Sequence, residues 1–144
     1  MKDAQSGPSP HGLLDTSTVI DLARLDPGSL PDEPLISSIT LAELTVGPLV
    51  ASTRHEKVAR QILLQQVEAD FEALPFDSAA ARAFGSVAAS LRGAGRKPAA
   101  RAYDALIAAV AISQSLPLYT GNPGDFEGIE GLTVQTTKPA STRE

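Results

Sequence analysis

The residues best placed to do chemistry are acids next to apolar stretches. Asp104 directly precedes Ala105 to Ile112, an unbroken apolar run that describes a helix buried nearly all round. Pro98 would open that helix earlier, at its first turn, and would leave Asp104 inside it. A carboxylate there is costly to bury unless a cation or hydrogen bonds compensate. The alternative is that Asp104 caps a helix beginning at Ala105. Asp125 lies in a polar turn, Gly121-Asn122-Pro123-Gly124-Asp125-Phe126, after the β-type run Leu116 to Thr120. Asp15 follows Leu13-Leu14 at the carboxyl end of a first short strand. It reads alternatively as a cap, although Thr16, Ser17 and Thr18 are also capping types. Glu43 stands three residues after Thr40, the spacing of a capping box.

If the strands are parallel, Asp15 and Asp125 emerge at the same edge of the sheet, where open α/β sheets bind ligands. Acids that converge without histidine or cysteine suit a hard cation held by oxygen, Mg²⁺ or Mn²⁺. The chemistry implied is metal-assisted phosphodiester hydrolysis. The chain has no cysteine, which excludes a disulfide framework and thiolate sites. Its only histidines, His11 and His55, are not at a metal-ligand spacing, so a histidine zinc site is not expected. A second Asp two residues after Asp15, as an aspartyl-phosphate enzyme would want, is replaced by Ser17. The formal net charge is −5, so nucleic acid would have to meet a local basic patch or a bridging metal. Arg92, Arg96, Lys97 and Arg101 form the one concentrated basic run. They read as a solvated loop or as phosphate contacts beside the acids.

Apolar periodicity supplies the elements that must position these groups. At 144 residues with 42% hydrophobic content, the chain is long enough for one domain with a real core. Residues 1–12 read as a flexible tail rich in Gly, Pro and Ser, and 137–144 as a polar one. Between them, strands are expected at Leu13-Leu14, Leu35 to Ile39, Ala73 to Phe76, Leu116 to Thr120 and Gly131 to Val134. Helices are expected from Ser17 or Thr18, from Thr40 until Gly47-Pro48 disturbs it, from Thr53 to about Glu72, and from Asp77 to Gly93-Ala94-Gly95. Strand and helix in alternation give a parallel sheet covered on both faces. No apolar run is long enough to span a bilayer and no signal-peptide core is present, so a cytoplasmic protein is expected.

Four stretches together resemble the PIN-domain proteins, and among them the VapC toxins of bacterial toxin–antitoxin pairs: LLDTSTVIDL, SITLAEL, YDALIAAVAISQSLPLYTGNPGDF and GIEGLTV. The resemblance spans residues 13–136 and implies a PIN-like α/β fold, a parallel sheet of about five strands with helices on both faces. It implies a Mg²⁺-dependent endoribonuclease with Mn²⁺ as a substitute, in which Asp15, Glu43 and Asp104 match the family's acids. The fourth acid falls at Asn122 in some members and at Asp125 in others; Asn122 is an amide here, so Asp125 is assigned. Asp15, Glu43, Asp104 and Asp125 are thus the expected catalytic and metal-binding set. Thr16, Ser17 and Thr120 match the small hydroxyl residues that line the site, with Asn122 beside them. Arg92, Arg96, Lys97 and Arg101, read from their charge and not from the resemblance, are the candidates for RNA contact, a solvated loop being the alternative. The family also implies dimerisation and a cognate antitoxin. Water as nucleophile leaves the 2′-hydroxyl unused, so a DNA or structure-specific nuclease on the same fold is the alternative, followed by a non-catalytic PIN-type binding module. Converging carboxylates repel one another, so at least one is expected to hold its proton more tightly than usual.

Overall fold

The computed structural model describes residues 10–97 and 101–141. Five strands form one parallel sheet in the order β3-β2-β1-β4-β5, with β1 His11–Leu14, β2 Glu33–Ser37, β3 Ala73–Leu74, β4 Leu118–Thr120 and β5 Val134–Thr136. The helices are α1 Thr16–Asp21, α2 Ser38–Leu49, α3 Arg54–Asp70, α4 Ser78–Gly93 and α5 Ala102–Ser113. This is the α/β architecture expected from the alternation of strand and helix patterns.

Strand alternation divides the core in two. Leu13 and Leu118 face α4 and α5, where Val87, Leu91, Ile107 and Val110 are fully or almost fully buried. Leu14, Ile36 and Tyr119 face the other way, onto Val19 of α1, Leu44 of α2 and Val67 of α3. Side chains of successive strand residues point to opposite faces, so short apolar runs such as Leu13-Leu14 serve both layers. Gly12 is required where it stands, because a Cβ on it would overlap the ring of Tyr119.

The edges of the expected elements shift in informative ways. β1 begins at His11, whose Nε2 lies 2.8 Å from Glu33 on β2, so structure starts inside the stretch read as a tail; residues 1–9 of that stretch lie outside the described residues. At the other end Thr137 donates its N–H to Thr120 O and Ala140 to Arg24 O, so the chain stays hydrogen-bonded past residue 136; 142–144 lie outside the described residues. β5 falls at Val134–Thr136 rather than Gly131 to Val134, because Gly131 has φ +84° and belongs to the preceding turn. α2 runs through Gly47 to Leu49 with Pro48 inside it, and Arg60 of α3 donates to the Gly47 carbonyl at 2.9 Å.

The strand order reverses between β1 and β4. Chain connections leave β1 toward β2 and β3 on one side, and β4 toward β5 on the other. Such a switch point opens a crevice at the carboxyl ends of the strands, where Asp15 directly follows β1 and Thr120 ends β4.

Candidate active site

Asp15 is 4% exposed and is held from three directions. Its N–H donates to Tyr119 O across the β1–β4 seam at 3.2 Å. Oδ1 accepts from the Thr18 N–H at 3.0 Å and Oδ2 from Thr120 Oγ1 at 2.6 Å. The Ser17 hydroxyl lies 3.4 Å from both carboxylate oxygens. Asp15 is therefore the N-cap of α1, which the three following hydroxyl residues had left open. Capping and site roles coincide, since the cap uses Oδ1 and leaves Oδ2 facing Thr120 at the switch point.

Glu43 is half-buried on α2. The cap of that helix is Ser37, whose Oγ accepts from the Thr40 N–H at 3.2 Å. The Thr40–Glu43 spacing is thus not a capping box. Thr40 is instead fully buried, and its hydroxyl lies 3.0 Å from that of Thr16, which donates to Glu43 Oε1 at 2.5 Å. Thr16 has one hydroxyl proton and gives it to Glu43, so Thr40 is the donor to Thr16. The relay Thr40→Thr16→Glu43 aims the carboxylate toward the acids on the neighbouring elements.

Asp104 lies in the first turn of α5, which begins at Ala102, so it is inside the helix and not its cap; Pro98, read as an earlier opening, lies outside the described residues. Its carboxyl is pushed up from 3.8 to about 6, first by burial and then by the charges of Asp125, Asp15 and Glu43, with Arg101 acting in the opposite direction. The repulsion expected among converging acids acts on this one. Asp125 sits in the 3-10 turn Pro123–Phe126. Arg101 Nη1 donates to its Oδ1 at 2.6 Å and lies 3.9 Å from Asp104 Oδ2. Asn122 is exposed and donates its N–H to Thr120 Oγ1 at 2.9 Å.

Among the described residues, no three of these acids are drawn into a tight cage for an ion. The carboxylates nonetheless share one field, and their oxygen-only donor set fits Mg²⁺ or Mn²⁺. Mg²⁺ keeps several waters and uses one or two carboxylates rather than a dedicated protein cage. The need for positive charge is visible in Arg101, which bridges Asp125 toward Asp104.

Of the basic run, Arg101 thus belongs to the acidic site. Arg96 donates to the carbonyls of Gly124 and Glu127 at 3.1 and 2.8 Å and pins the turn that carries Asp125. Arg92 and Lys97 are exposed. Sequence reasoning missed the relay role of Thr40 and the Arg101–Asp125 pair. A threonine inside a helix and an arginine three residues before the acid of α5 were the available signals.

The sheet is parallel in the order 3-2-1-4-5, and the acids after β1, on α2 and in the turn after β4 act electrostatically on the one in α5. The chain belongs to the PIN-domain family: the PIN domain profile matches residues 13–131, and relatives lie in its VapC branch. Ribonuclease VapC5 of Mycobacterium tuberculosis is 40% identical over 83% of this chain and 88% of the relative. The tRNA(fMet)-specific endonuclease VapC of Shigella flexneri is 28% identical over 85% of this chain and 95% of its own length. The crystal structure of VapBC-5, a member of the VapBC family of toxin–antitoxin systems from Mycobacterium tuberculosis, matches with a TM-score of 0.77 and 37% identity, covering 88% of this chain and 98% of that one.

Proposed function

We propose that this protein is the toxin of a toxin–antitoxin pair and acts as a Mg²⁺-dependent endoribonuclease, with Asp15, Glu43, Asp104 and Asp125 as its catalytic and metal-binding residues. The observation that carries the reading is the raised proton affinity of Asp104, caused in part by the three other acids. Four carboxylates supplied by separate elements and felt at one point favour a cation that joins them. The names of the relatives support the same activity and the same kind of partner.

Asp15 and Asp104 would be the principal ligands, with Glu43 and Asp125 completing the site directly or through water. A bound divalent ion would supply neutralisation of the phosphate oxygens and acidification of a water molecule. The rest is the work of this chain. Thr120 and the Thr18 N–H hold Asp15 in one rotamer, and Thr16 holds Glu43, so neither carboxylate has to be ordered when substrate arrives. Arg101 balances Asp104 and Asp125. Arg92 and Lys97 are the basic residues left to meet RNA phosphates. Water as nucleophile leaves 5′-phosphate and 3′-hydroxyl ends. A cognate antitoxin and a second copy of the chain complete the assembly.

The test is cleavage of bacterial RNA and of DNA by purified protein with Mg²⁺, with Mn²⁺ and with chelator. RNA cleavage that needs the ion and disappears in Asp15→Asn is expected. Equal cleavage of both nucleic acids would favour the DNA or structure-specific nuclease, and none of either would favour the binding module.

A further inference from the structure

A second polar feature lies beside α1, whose N-cap is Asp15. A cavity of about 210 Å³ opens between α1 and the ends of β4 and β5, lined by Ser17, Thr18, Asp21, Asn122, Thr137 and Pro139 among others. Thr137 is 5% exposed. Its Oγ1 is the one buried side-chain polar atom among the described residues that has no hydrogen-bond partner. Buried hydroxyls are rarely left so, because an unmade hydrogen bond costs the full desolvation of the group. The oxygen is closed to solvent and faces Gly121, where an added Cβ would stand 3.4 Å from it, so a ligand hydroxyl reaches it through a turn about the Thr137 Cα–Cβ bond.

The lining indicates the chemistry of what enters. It holds three hydroxyls, an amide and a carboxylate, and no cation. Arg24, the cation next to the cavity, is already paired with Asp21 at 2.7 Å, so a phosphate would find no free cation in the lining, and a base would find no aromatic surface to stack on. A sugar hydroxyl, at once donor and acceptor, matches this set. Ser17 is shared between the cavity and the Asp15 carboxylate, so the occupant lies next to the scissile bond.

We infer that this cavity is a ribose subsite, in which Thr137 Oγ1 hydrogen-bonds the 2′-hydroxyl of a nucleotide flanking the cut. The inference rests on the ribonuclease reading and deepens it. Hydrolysis by water is chemically indifferent to the 2′-hydroxyl, so preference for RNA has to come from binding, and the 2′-hydroxyl is what distinguishes the two polymers at a given site.

The probe is a fluorescein-labelled random-sequence twelve-nucleotide RNA and its all-deoxy counterpart. Both are titrated with Mg²⁺ against Asp104→Asn protein, alone and combined with Thr137→Val, Thr137→Ser or Gly121→Ala. The Asp104→Asn parent should bind RNA more tightly than DNA. Thr137→Val should lower that preference about three- to tenfold, the value of one hydrogen bond, through weaker RNA binding with unchanged DNA binding. Thr137→Ser should retain the preference, and Gly121→Ala, whose methyl covers the oxygen, should reduce it. Thr137→Val should also melt at the same or a higher temperature, since it removes an orphan hydroxyl. A parent that does not distinguish RNA from DNA, or a preference unchanged in both Thr137→Val and Gly121→Ala, overturns the subsite. Cleavage by the unmodified protein is scored separately: no metal-dependent cleavage with the Thr137-dependent preference intact would reject the nuclease reading and leave the subsite standing.

Discussion

Replacing Asp104 with Asn should stabilise the metal-free protein at neutral pH while abolishing cleavage. The folded-state carboxyl is pushed from 3.8 to about 6, so the folded protein binds a proton there more tightly than the unfolded chain. Its favourable contribution is therefore fully present below about pH 4. It is lost as pH rises through about 6, and above that the ionised group opposes folding. At full strength the shift is worth roughly 3 kcal/mol. The side chain is 31% exposed, and solvent screening brings the expectation to about 1–2 kcal/mol. Asparagine is nearly isosteric and carries no charge, so the variant should escape the penalty. For a chain of this size that is a rise in melting temperature of about 3–8 °C. The assay is thermal melting of wild type and Asp104→Asn in chelator from pH 4 to pH 8. The gap should be widest near neutrality and should close toward pH 4. Added Mg²⁺ should then raise the wild-type midpoint, by about 2.7 kcal/mol at a hundredfold excess over Kd, and raise the variant much less. A variant less stable than wild type at pH 7.5 in chelator, or a gap that does not change with pH, would refute the reasoning. Asp104 would then be a structural residue of the first turn of α5.

Asp15→Asn should keep the α1 cap, because Asn caps as well as Asp, and stay within about 1 kcal/mol of wild type in chelator. It should lose RNA cleavage and most of the Mg²⁺ response, read by gel assay and by melting; retained cleavage would remove the anchor of the site. Thr40→Val breaks the relay to Glu43 without touching a carboxylate. It should lower kcat by about tenfold with the fold retained, and an unchanged kcat would make the Thr40–Thr16 contact purely structural. Neutralising Arg92 and Lys97 together should weaken RNA binding and reduce the slope of log K against log salt by about 1.5. An unchanged slope would return both residues to the solvated surface.

Much of this protein is determined by local sequence. Hydrophobic spacing marks α3, α4 and α5, and Thr53 and Asp77 cap their helices through Glu56 N–H and Ala80 N–H as their positions suggest, because capping and periodicity act over a few residues. The acids were legible for a related reason: a carboxylate beside a buried run is conspicuous without any knowledge of its partners. Contacts between distant residues were not. Thr120 reaches Asp15 across 105 positions and Arg101 reaches Asp125 across 24, and both depend on which strands become neighbours. The same is true of the helix caps at the site. Ser37 displaced Thr40 as the cap of α2 because β2 ends at Ser37, and Thr40, turned inward by one helical turn, was freed to orient Glu43 through Thr16. The orphan hydroxyl of Thr137 emerged only from the tertiary structure. In sequence it is one polar residue in a polar tail. It is buried because β5 pairs with β4 in a register that sets Thr136 beside Thr120 and carries the chain on past Gly121.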